Sequence, residues 1–498
     1  MSTPRNVIGD ELLFVPDQVV LTPGSLVGGV FVAGEGDEFE IVRPSDGQVA
    51  ASERGATADQ VDRAVRAARR SHATGVWADA PPRQRAQVFR RWADLVEANA
   101  TEIVAVESLV STRLATEVAT RDIPVTVAII RYYGEMIDKV EGEIYSSAHD
   151  TWSLGVREPY GVVACISPWN VPLLLATTKI APALAAGNAV ILKPSEFTPY
   201  SIKRVAQLAI EAGVPADHLA VLVGTGGQTG HALVTHPDVD YVSFTGSTAT
   251  GRQVMSDAAL SGPKPVSLEM GGKGPQIVFA DADLDAASRI IASSVVRNAG
   301  QICYAGTRLV VDRTVADEMI DRIGRLVGDV VAGPTWSKAT TLAPILSRKQ
   351  RDRITAILGQ GTARGAEILI GGAAIQDDGF YFEPTLVHNL AVDNPIVEQE
   401  VFGPVLAVQP FDSIDEALTL AEHCDYGLGA ALYTRDLATA MRSSRSIKAG
   451  TVWVNQFGVN DIVAPVGGFK KSGFGKDFGM EGLLKYTHSK SISVKAFA

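Results

Sequence analysis

The sequence has few cysteines, no long hydrophobic run and no excess of basic residues. Only Cys165, Cys303 and Cys424 occur among 498 residues, which is too few for a disulfide framework, and no pair has metal-ligand spacing. We therefore predict no metal site and a reducing, cytoplasmic location. No apolar run approaches the ~18 residues that a membrane helix needs, and Met1–Asp10 lacks a signal-peptide pattern, so no membrane partner is expected.

The charge balance is acidic. Lys and Arg number 45 against 56 Asp and Glu, which gives a formal net charge of −11. A protein that binds nucleic acid generally presents a basic surface to the phosphates, so no nucleic-acid partner is expected. The hydrophobic fraction of 46% is ample for a buried core, and the length suggests about three domains.

Short apolar runs alternate with helical stretches over most of the chain. Strands are predicted at 161–166, 189–192, 219–223, 241–244, 276–279, 307–311, 367–370, 405–409 and 451–454, and helices at 177–186, 201–212, 231–235, 316–327 and from 251 onward. Upstream, Thr57 and Gln60 form a capping-box pattern, and a further helix is predicted at 123–140. This alternation predicts an α/β fold with parallel sheets covered on both faces.

Cys303 is the cysteine best placed for chemistry. Gly300 and Gly306 bracket it, so the backbone can turn sharply and approach a ligand closely. Cys165 lies instead in a plain apolar run, which is typical of an inert core thiol, and the same interpretation holds for Cys424. We therefore interpret Cys303 as a candidate nucleophile.

Two polar residues follow predicted strands and suit a nucleophilic cysteine. Glu269 ends the strand-like run before a Gly-Gly pair and is either a general base or a salt-bridge partner. Asn170 follows the strand 161–166 and is either a donor to a developing oxyanion or a cap of the next helix. The residues alone leave both pairs of alternatives open.

Other strand ends carry residues suited to a dinucleotide. Lys193 and Glu196 follow the strand 189–192, and an acidic side chain there accepts hydrogen bonds from ribose hydroxyls. Gly246 and Ser247 lead from a strand into a helix, whose N-terminus favours phosphate. The glycine-rich run 224–230 does not match G-x-G-x-x-G and is a weak signal alone.

Together these segments resemble the NAD(P)-dependent aldehyde dehydrogenase superfamily. The resemblance extends from about Ile41 to the C-terminus and rests on SPWNVP at 167–172, GNAVILKPSE at 187–196, FTGS at 244–247, LEMGGK at 268–273, GQIC at 300–303, EVFGP at 400–404 and PVGGFKKSG at 465–473. It implies an aldehyde dehydrogenase-like α/β fold. A Rossmann-type NAD-binding domain would span 1–142 and 162–269, an α/β catalytic domain 270–470, and a β oligomerisation arm 143–161 and 471–498.

The resemblance also implies roles for individual residues. Cys303 matches the nucleophile, Glu269 the general base and Asn170 the oxyanion donor, while Lys179 matches a lysine near the active-site network. Residues expected to bind the cofactor are Ile166, Ser167, Trp169, Lys193, Ser195, Glu196, Gly226, Phe244, Gly246, Ser247, Gly271, Glu400 and Phe402. Residues expected to line the aldehyde tunnel are Val171, Leu175, Thr178, Ile302, Tyr304, Asn460 and Val466.

The implied reaction is oxidation of an aldehyde to a carboxylic acid with NAD as acceptor. Glu196 favours NAD over NADP, although Lys193 nearby leaves some NADP use open. Because the predicted tunnel positions include no basic residue, a neutral aldehyde is expected. The alternating residues 489–494 indicate an edge strand that invites a partner, so a homodimer or homotetramer is expected. The alternatives are a coenzyme A-acylating dehydrogenase and a non-catalytic member with a structural or binding role.

Overall fold

Two mainly parallel sheets, each covered by helices, form the body of the protein, in agreement with the predicted α/β fold. The computed structural model describes residues 11–375, 378–422, 425–459 and 461–495. Cys424, which is predicted to be an inert thiol, and Asn460, which is predicted to line the aldehyde tunnel, lie outside the described residues. The capping box predicted at the first long helix is present, because Thr57 and Gln60 each satisfy a backbone N–H of the other.

In the described residues the first sheet has eight strands. Their spatial order is Val30–Val32, Ser25–Val27, Leu219–Val221, Ala189–Lys193, Val162–Ile166, Tyr241–Thr245, Val266–Glu269 and Gly473–Phe474. The strand order reverses beside Val162–Ile166: the next two strands along the chain lie on one side of it, and the two after those lie on the other. Ligands of such sheets bind beyond the carboxyl ends of the strands at this switch point.

The second sheet has seven strands within the described ranges. Their order is Glu367–Ile370, Thr385–His388, Val405–Phe411, Arg308–Asp312, Pro275–Val278, Gly429–Tyr433 and Thr451–Val454. Short two-stranded ladders pair Glu38–Val42 with Val49–Arg54, Ala374–Ile375 with Tyr381–Phe382, and Tyr426–Gly427 with Phe469–Lys470.

The helices cover both sheets. They span Ala58–Ala73, Pro82–Ala98, Ala100–Val110, Ala115–Glu117, Ile123–Met136, Pro172–Ala185, Tyr200–Ala212, His231–Thr235, Thr248–Leu260, Leu284–Val296, Ala316–Gly328, Arg348–Thr362, Pro395–Glu398, Ile414–Ala421, Leu437–Ser446 and Gly479–Leu484. The helix predicted at 177–186 begins earlier, because Pro172 is well suited to a first helical turn. No helix in the described part of the chain is long and apolar enough to span a bilayer.

Both faces of the central strands of the first sheet are buried. Along Val162–Ile166, Val163 and Cys165 face one core cluster while Val162 and Ala164 face the other, as the alternation of side chains across a strand requires. Cys165 is fully buried in this core, in agreement with its interpretation as an inert thiol. The strand packing therefore fixes the loop that follows residue 166.

A three-stranded antiparallel arm contains the predicted edge strand. The tail strand Thr487–Lys495 pairs with Thr151–Pro159, which also pairs with Glu143–Tyr145. The arm strand of the tail begins only at Thr487, whereas the arm was predicted from residue 471, because Gly473–Phe474 instead pairs with the end of Val266–Glu269 in the first sheet. The domain boundaries as a whole stay a prediction.

Candidate active site

A pocket opens at the switch point of the first sheet. It encloses about 380 Å³, and its walls come from the loops after Val162–Ile166 and Tyr241–Thr245 together with segments of the second sheet. The lining residues are Pro168, Trp169, Asn170, Leu175, Thr245, Gly246, Ser247, Ala249, Glu269, Met270, Gly271, Cys303, Gln350, Arg353, Glu400 and Phe402. The three predicted catalytic residues thus share one pocket.

The loop that carries Cys303 has an unusual backbone. Asn298, Ala299 and Gly300 adopt φ values of 50°, 49° and 70°, a left-handed run that ordinary residues avoid. A Cβ on Gly300 would lie 2.2 Å from the carbonyl oxygen of Gly403, so the position requires glycine. This run turns the chain sharply after the helix Leu284–Val296 and presents the thiol to the pocket.

Side-chain amides hold this loop in place. The Gln301 amide donates to the carbonyl oxygens of Asn298 and Pro344 at 2.9 and 3.0 Å. Its own oxygen accepts from the Leu346 N–H at 3.0 Å. Every polar atom of this buried amide is therefore engaged, which leaves the Cys303 backbone little freedom to move.

Asn170 lies against the same loop. Its Nδ2 donates to the Gln301 carbonyl oxygen at 3.0 Å, and the side chain is buried. Asn298 Nδ2 in turn donates to the Asn170 carbonyl oxygen at 2.9 Å. Two hydrogen bonds between the segments thus hold the predicted oxyanion donor beside the predicted nucleophile.

Glu269 ends its strand at the pocket wall. The residue is 9% exposed, and Oε1 has no hydrogen-bond partner among the described residues. Burial and the negative charge of Asp477 raise the pKa of the Glu269 carboxyl well above its usual range, while Lys485 and Lys179 oppose that shift. A buried carboxylate with a free acceptor oxygen and a raised pKa has the properties of a general base.

A buried charge cluster lies behind Glu269. Asp477 forms an ion pair with Lys485, and the Nζ of Lys179 lies 3.8 Å from the other carboxylate oxygen. Burial alone would raise the pKa of Asp477, but Lys179 and Lys485 hold it below its usual range. Lys179 also donates to Ser243 Oγ at 3.3 Å. The predicted network lysine is therefore part of this cluster.

The Cys303 thiol is protonated in this environment. Burial, followed by the charges of Glu400 and Glu269, raises its pKa to about 12. Burial also raises the pKa of Glu400 to about 7. A base must therefore remove the thiol proton before the sulfur can attack at neutral pH.

The cofactor side of the pocket combines a helix N-terminus with glycines. Ser247 caps the helix Thr248–Leu260 and accepts from the Thr250 N–H at 3.2 Å, and Gly246 and Ala249 line the pocket beside it. A Cβ on Gly271 would lie 2.1 Å from Glu400 Oε2, so only glycine lets this backbone approach. These features fit the pyrophosphate of a dinucleotide, which a helix N-terminus attracts.

Aromatic residues close the pocket near Glu400. The rings of Trp169 and Phe402 meet edge to face with centroids 5.4 Å apart. Two lining residues that the sequence analysis missed support this wall: Gln350 and Arg353 donate to the carbonyl oxygens of residues 400–402. Their spacing on one helix face was the available signal, but it is common to many helices.

Several predicted cofactor residues lie outside the pocket lining. Lys193 and Glu196 form an ion pair at 3.1 Å beyond the end of the strand Ala189–Lys193. Phe244 is buried in the core, where its ring fills the space that a Cβ on Gly246 would need. The remainder, which lie at or after the ends of strands, are Ile166, Ser167, Ser195 and Gly226. Their cofactor contacts stay a prediction.

The predicted tunnel residues divide between different surroundings. Leu175 lines the pocket, whereas Ile302 and Tyr304 line a second cavity. Thr178 is 1% exposed and donates to the Leu175 carbonyl oxygen at 2.9 Å. Val171 is buried, and Val466 pairs with Asp477 through the backbone. Within the described ranges, no group of His, Cys, Asp and Glu is arranged to hold a metal ion.

Comparisons with known proteins agree with this geometry. The model of the aldehyde dehydrogenase family matches residues 31–492. The NADP/NAD-dependent aldehyde dehydrogenase PuuC of Escherichia coli is 41% identical, with 93% of this chain and 94% of the relative covered. An aldehyde dehydrogenase of Alternaria alternata is 38% identical, with 95% of each covered.

Solved structures give the same result. Indole-3-acetaldehyde dehydrogenase AldA of P. syringae, solved in complex with NAD⁺ and IAA, has a TM-score of 0.95 and 39% identity, and the match covers 97% of this chain and 98% of that one. The aldehyde dehydrogenase KauB of Pseudomonas aeruginosa has a TM-score of 0.94 and 37% identity over the same shares. The predicted resemblance and fold are confirmed: the chain belongs to the aldehyde dehydrogenase family and is an enzyme that oxidises aldehydes.

Proposed function

We propose that this enzyme oxidises an aldehyde to the carboxylic acid through a thioester on Cys303, with NAD as the hydride acceptor. The observation that carries the proposal is that Cys303, Glu269 and Asn170 line one pocket at the switch point of the first sheet. That position also places a helix N-terminus and a glycine-lined wall beside the thiol, where a dinucleotide fits.

The first step is attack of the Cys303 sulfur on the aldehyde carbon. Because the thiol pKa is raised to about 12, the thiol must lose its proton to solvent before the sulfur attacks, and Glu269 with its free Oε1 remains available for the later hydrolytic step. The carbonyl oxygen becomes an oxyanion as the carbon–sulfur bond forms. The Asn170 amide and the backbone N–H of Cys303 stabilise that charge.

The thiohemiacetal oxyanion is then a good hydride donor, whereas a hydrated aldehyde is a poor one. When bound, NAD supplies the hydride acceptor. Gly246, Ser247 and the following helix N-terminus would hold its pyrophosphate, Lys193 and Glu196 its adenosine ribose. Glu400 and Phe402 would lie on its nicotinamide side.

The thioester on Cys303 is finally hydrolysed. Glu269 removes a proton from water, which attacks the acyl carbon and releases the acid and the thiol. A coenzyme A-acylating enzyme would resolve the thioester with another thiol and would need no such base. A protein without turnover would need no buried carboxylate with a free oxygen in the pocket of its cysteine. Glu269 therefore weighs against both the coenzyme A-acylating enzyme and the non-catalytic protein.

NADH release with a panel of aldehydes tests the proposal. The natural enzyme is expected to release NADH, and Cys303→Ala to release none while it still binds NAD. Cys165→Ala, which removes a buried core thiol, is the matched control and is expected to keep nearly full turnover. Normal turnover by the Cys303→Ala variant would exclude a covalent mechanism through Cys303.

Glu196 is the residue on which cofactor preference depends. Its carboxylate suits the ribose hydroxyls of NAD and repels the 2′-phosphate of NADP, although Lys193 at 3.1 Å offsets part of that charge. We expect kcat/KM to be higher with NAD than with NADP, and we expect Glu196→Gln to lower the ratio of these two values. An unchanged ratio of kcat/KM for the two cofactors would remove Glu196 from this role.

The arm supports a homodimer or a homotetramer. Its side chains include exposed apolar residues, among them Trp152 at 64% and Ile144 at 76% exposure, and an edge strand can pair with a strand of another subunit. Light scattering at micromolar concentration is expected to give two or four subunits, and a stable monomer would contradict the proposal. The two described cysteines are free thiols, which supports a cytoplasmic location that cell fractionation can test.

A further inference from the structure

A second cavity is lined in part by the two residues next to Cys303 in the chain. It encloses about 250 Å³, and its lining residues are Arg289, Ile290, Ser293, Ser294, Arg297, Ile302, Tyr304, Ala305 and Phe457. None of these lines the active-site pocket. Ile302 and Tyr304 flank Cys303 in the chain, and Cys303 itself lines the active-site pocket, so consecutive residues of one loop line the two cavities.

The charged side chains that line this cavity are all positive. Two arginines line it, and no Asp or Glu is among its described lining residues. Arg289 is already paired, with its Nη1 2.6 Å from Asp285 Oδ2. Arg297 has no carboxylate partner among the residues that the structure describes. Arg297 therefore supplies the uncompensated positive charge of the cavity.

The hydrogen bonds of Arg297 are incomplete. Nη2 donates to the Tyr304 hydroxyl at 3.1 Å, while Nε is buried with no partner in the described part of the chain. A desolvated guanidinium N–H without an acceptor is costly. Protein atoms enclose Nε, but Nη1 forms no hydrogen bond with the described residues, so an anionic group in the cavity would balance the charge of the guanidinium and accept from this terminal nitrogen.

The guanidinium is held in a defined place. Arg297 directly precedes Asn298, whose side chain is bonded to the Asn170 carbonyl oxygen. The Tyr304 ring packs against Trp453 and Phe457, with centroids 5.8 and 6.1 Å away. A Cβ on Gly458 would lie 3.6 Å from Arg297 Nη2, so the glycine keeps the space beside the guanidinium open.

We propose that Arg297 binds a carboxylate at the far end of the aldehyde substrate. A guanidinium forms short, charge-assisted, paired hydrogen bonds with a carboxylate. An aldehyde whose carbonyl carbon reaches Cys303 can extend its other end past Ile302 towards Arg297. The preferred substrate class is then an aldehyde that carries a carboxylate several bonds from the carbonyl, rather than the neutral aldehyde that the sequence alone suggested. This inference rests on the proposed function.

The test compares matched pairs of aldehydes: succinic semialdehyde with butanal, glutaric semialdehyde with pentanal, and adipic semialdehyde with hexanal. In the natural enzyme, kcat/KM for at least one carboxylate is expected to exceed that of its neutral partner by about tenfold or more. Arg297→Met is expected to abolish the preference by raising KM for the carboxylates, with the neutral aldehydes nearly unaffected. Arg297→Lys, which keeps the charge without the paired N–H groups, is expected to be intermediate.

Arg289→Met is the matched control, because it removes the same charge from the same cavity but from an arginine already paired with Asp285. It is expected to keep the preference. Equal kcat/KM within every pair of aldehydes would overturn the inference, and so would a carboxylate preference that survives Arg297→Met. In either case, NADH release with neutral aldehydes would leave the proposed function intact. An equal loss in Arg289→Met would also overturn the inference. Failure of the natural enzyme to oxidise either class would instead overturn the proposed function.

Discussion

Asn298 donates its side-chain N–H to the carbonyl oxygen of Asn170, with 2.9 Å between the nitrogen and the oxygen. The same Nδ2 also lies 3.1 Å from the Gln301 carbonyl oxygen, and Asn298 Oδ1 accepts from the Thr112 hydroxyl at 2.7 Å. One buried amide therefore links the segment of the oxyanion donor to the loop of the nucleophile. Asn298 is a positioning residue for the distance between Asn170 and Cys303.

Asn298→Asp tests this link. Aspartate has the same side-chain shape as asparagine and also tolerates a positive φ, but it lacks the Nδ2 donor. The carbonyl oxygens of Asn170 and Gln301 would then face a carboxyl group. Because small displacements of a reacting group are costly, kcat is expected to fall about tenfold to a hundredfold with NAD affinity unchanged. Asn389→Asp is the control, since Asn389 also has a positive φ of 56° but is exposed. Equal kcat in both variants would exclude a positioning role.

After burial, Glu400 is the largest cause of the raised thiol pKa of Cys303, so we expect it to lower the reactivity of this thiol before cofactor binds. Its negative charge is one of the causes that raise the thiol pKa to about 12. Glu400→Gln removes that charge and keeps an oxygen for the Gly272 N–H that Glu400 accepts at 3.0 Å. The thiol pKa should fall, so iodoacetamide should alkylate Cys303 several-fold faster at pH 9. Glu398→Gln, an exposed neighbour, should leave the rate unchanged, and a slower rate in Glu400→Gln would contradict the electrostatic account.

The buried cluster of Asp477, Lys179 and Lys485 is important for stability. Asp477→Ala leaves two buried lysines without their carboxylate, and breaking a buried ion pair by removing one partner costs about 3–5 kcal/mol. The double variant Asp477→Ala/Lys485→Met is expected to lose less, because one stranded charge is removed as well. Urea unfolding measures both. Asp415→Ala, which breaks the exposed pair with Arg442, is expected to leave the midpoint nearly unchanged.

The order of these variants is the decisive result. The comparison also needs the single variant Lys485→Met. If the loss of unfolding free energy in the double variant equalled the sum of the losses in the two single variants, Lys485 and Asp477 would act independently, and the ion pair would not be the stabilising unit.

Sequence reasoning recovered those features that depend on local pattern. The alternation of runs predicted the two sheets, and the glycines around Cys303 predicted a turn, which is built from the left-handed residues 298–300. Glu269 and Asn170 were selected because one ends a strand and the other lies in the loop after a strand, and the carboxyl ends of parallel strands meet at one edge of the sheet.

Features that depend on burial or on distant partners could not be predicted from the sequence. The buried Thr178 donates its hydroxyl to the Leu175 carbonyl oxygen, and its place in the aldehyde tunnel stays a prediction. Gln350 and Arg353 act on the backbone of a segment fifty residues away. Arg289 pairs with Asp285 one helical turn earlier, whereas Arg297 donates to Tyr304, a contact that depends on the turn of the Cys303 loop and not on a local pattern.

The central claim is that Glu269 activates the water that releases the acid from Cys303. The direct test mixes Glu269→Gln enzyme with excess NAD and aldehyde in a stopped-flow instrument, followed by mass spectrometry of the quenched protein. The account predicts a burst of at most one NADH per active site, then very slow turnover, with the acyl group on Cys303. A stable Glu269→Gln enzyme that turns over at the natural steady rate with no acyl group on Cys303 would contradict it.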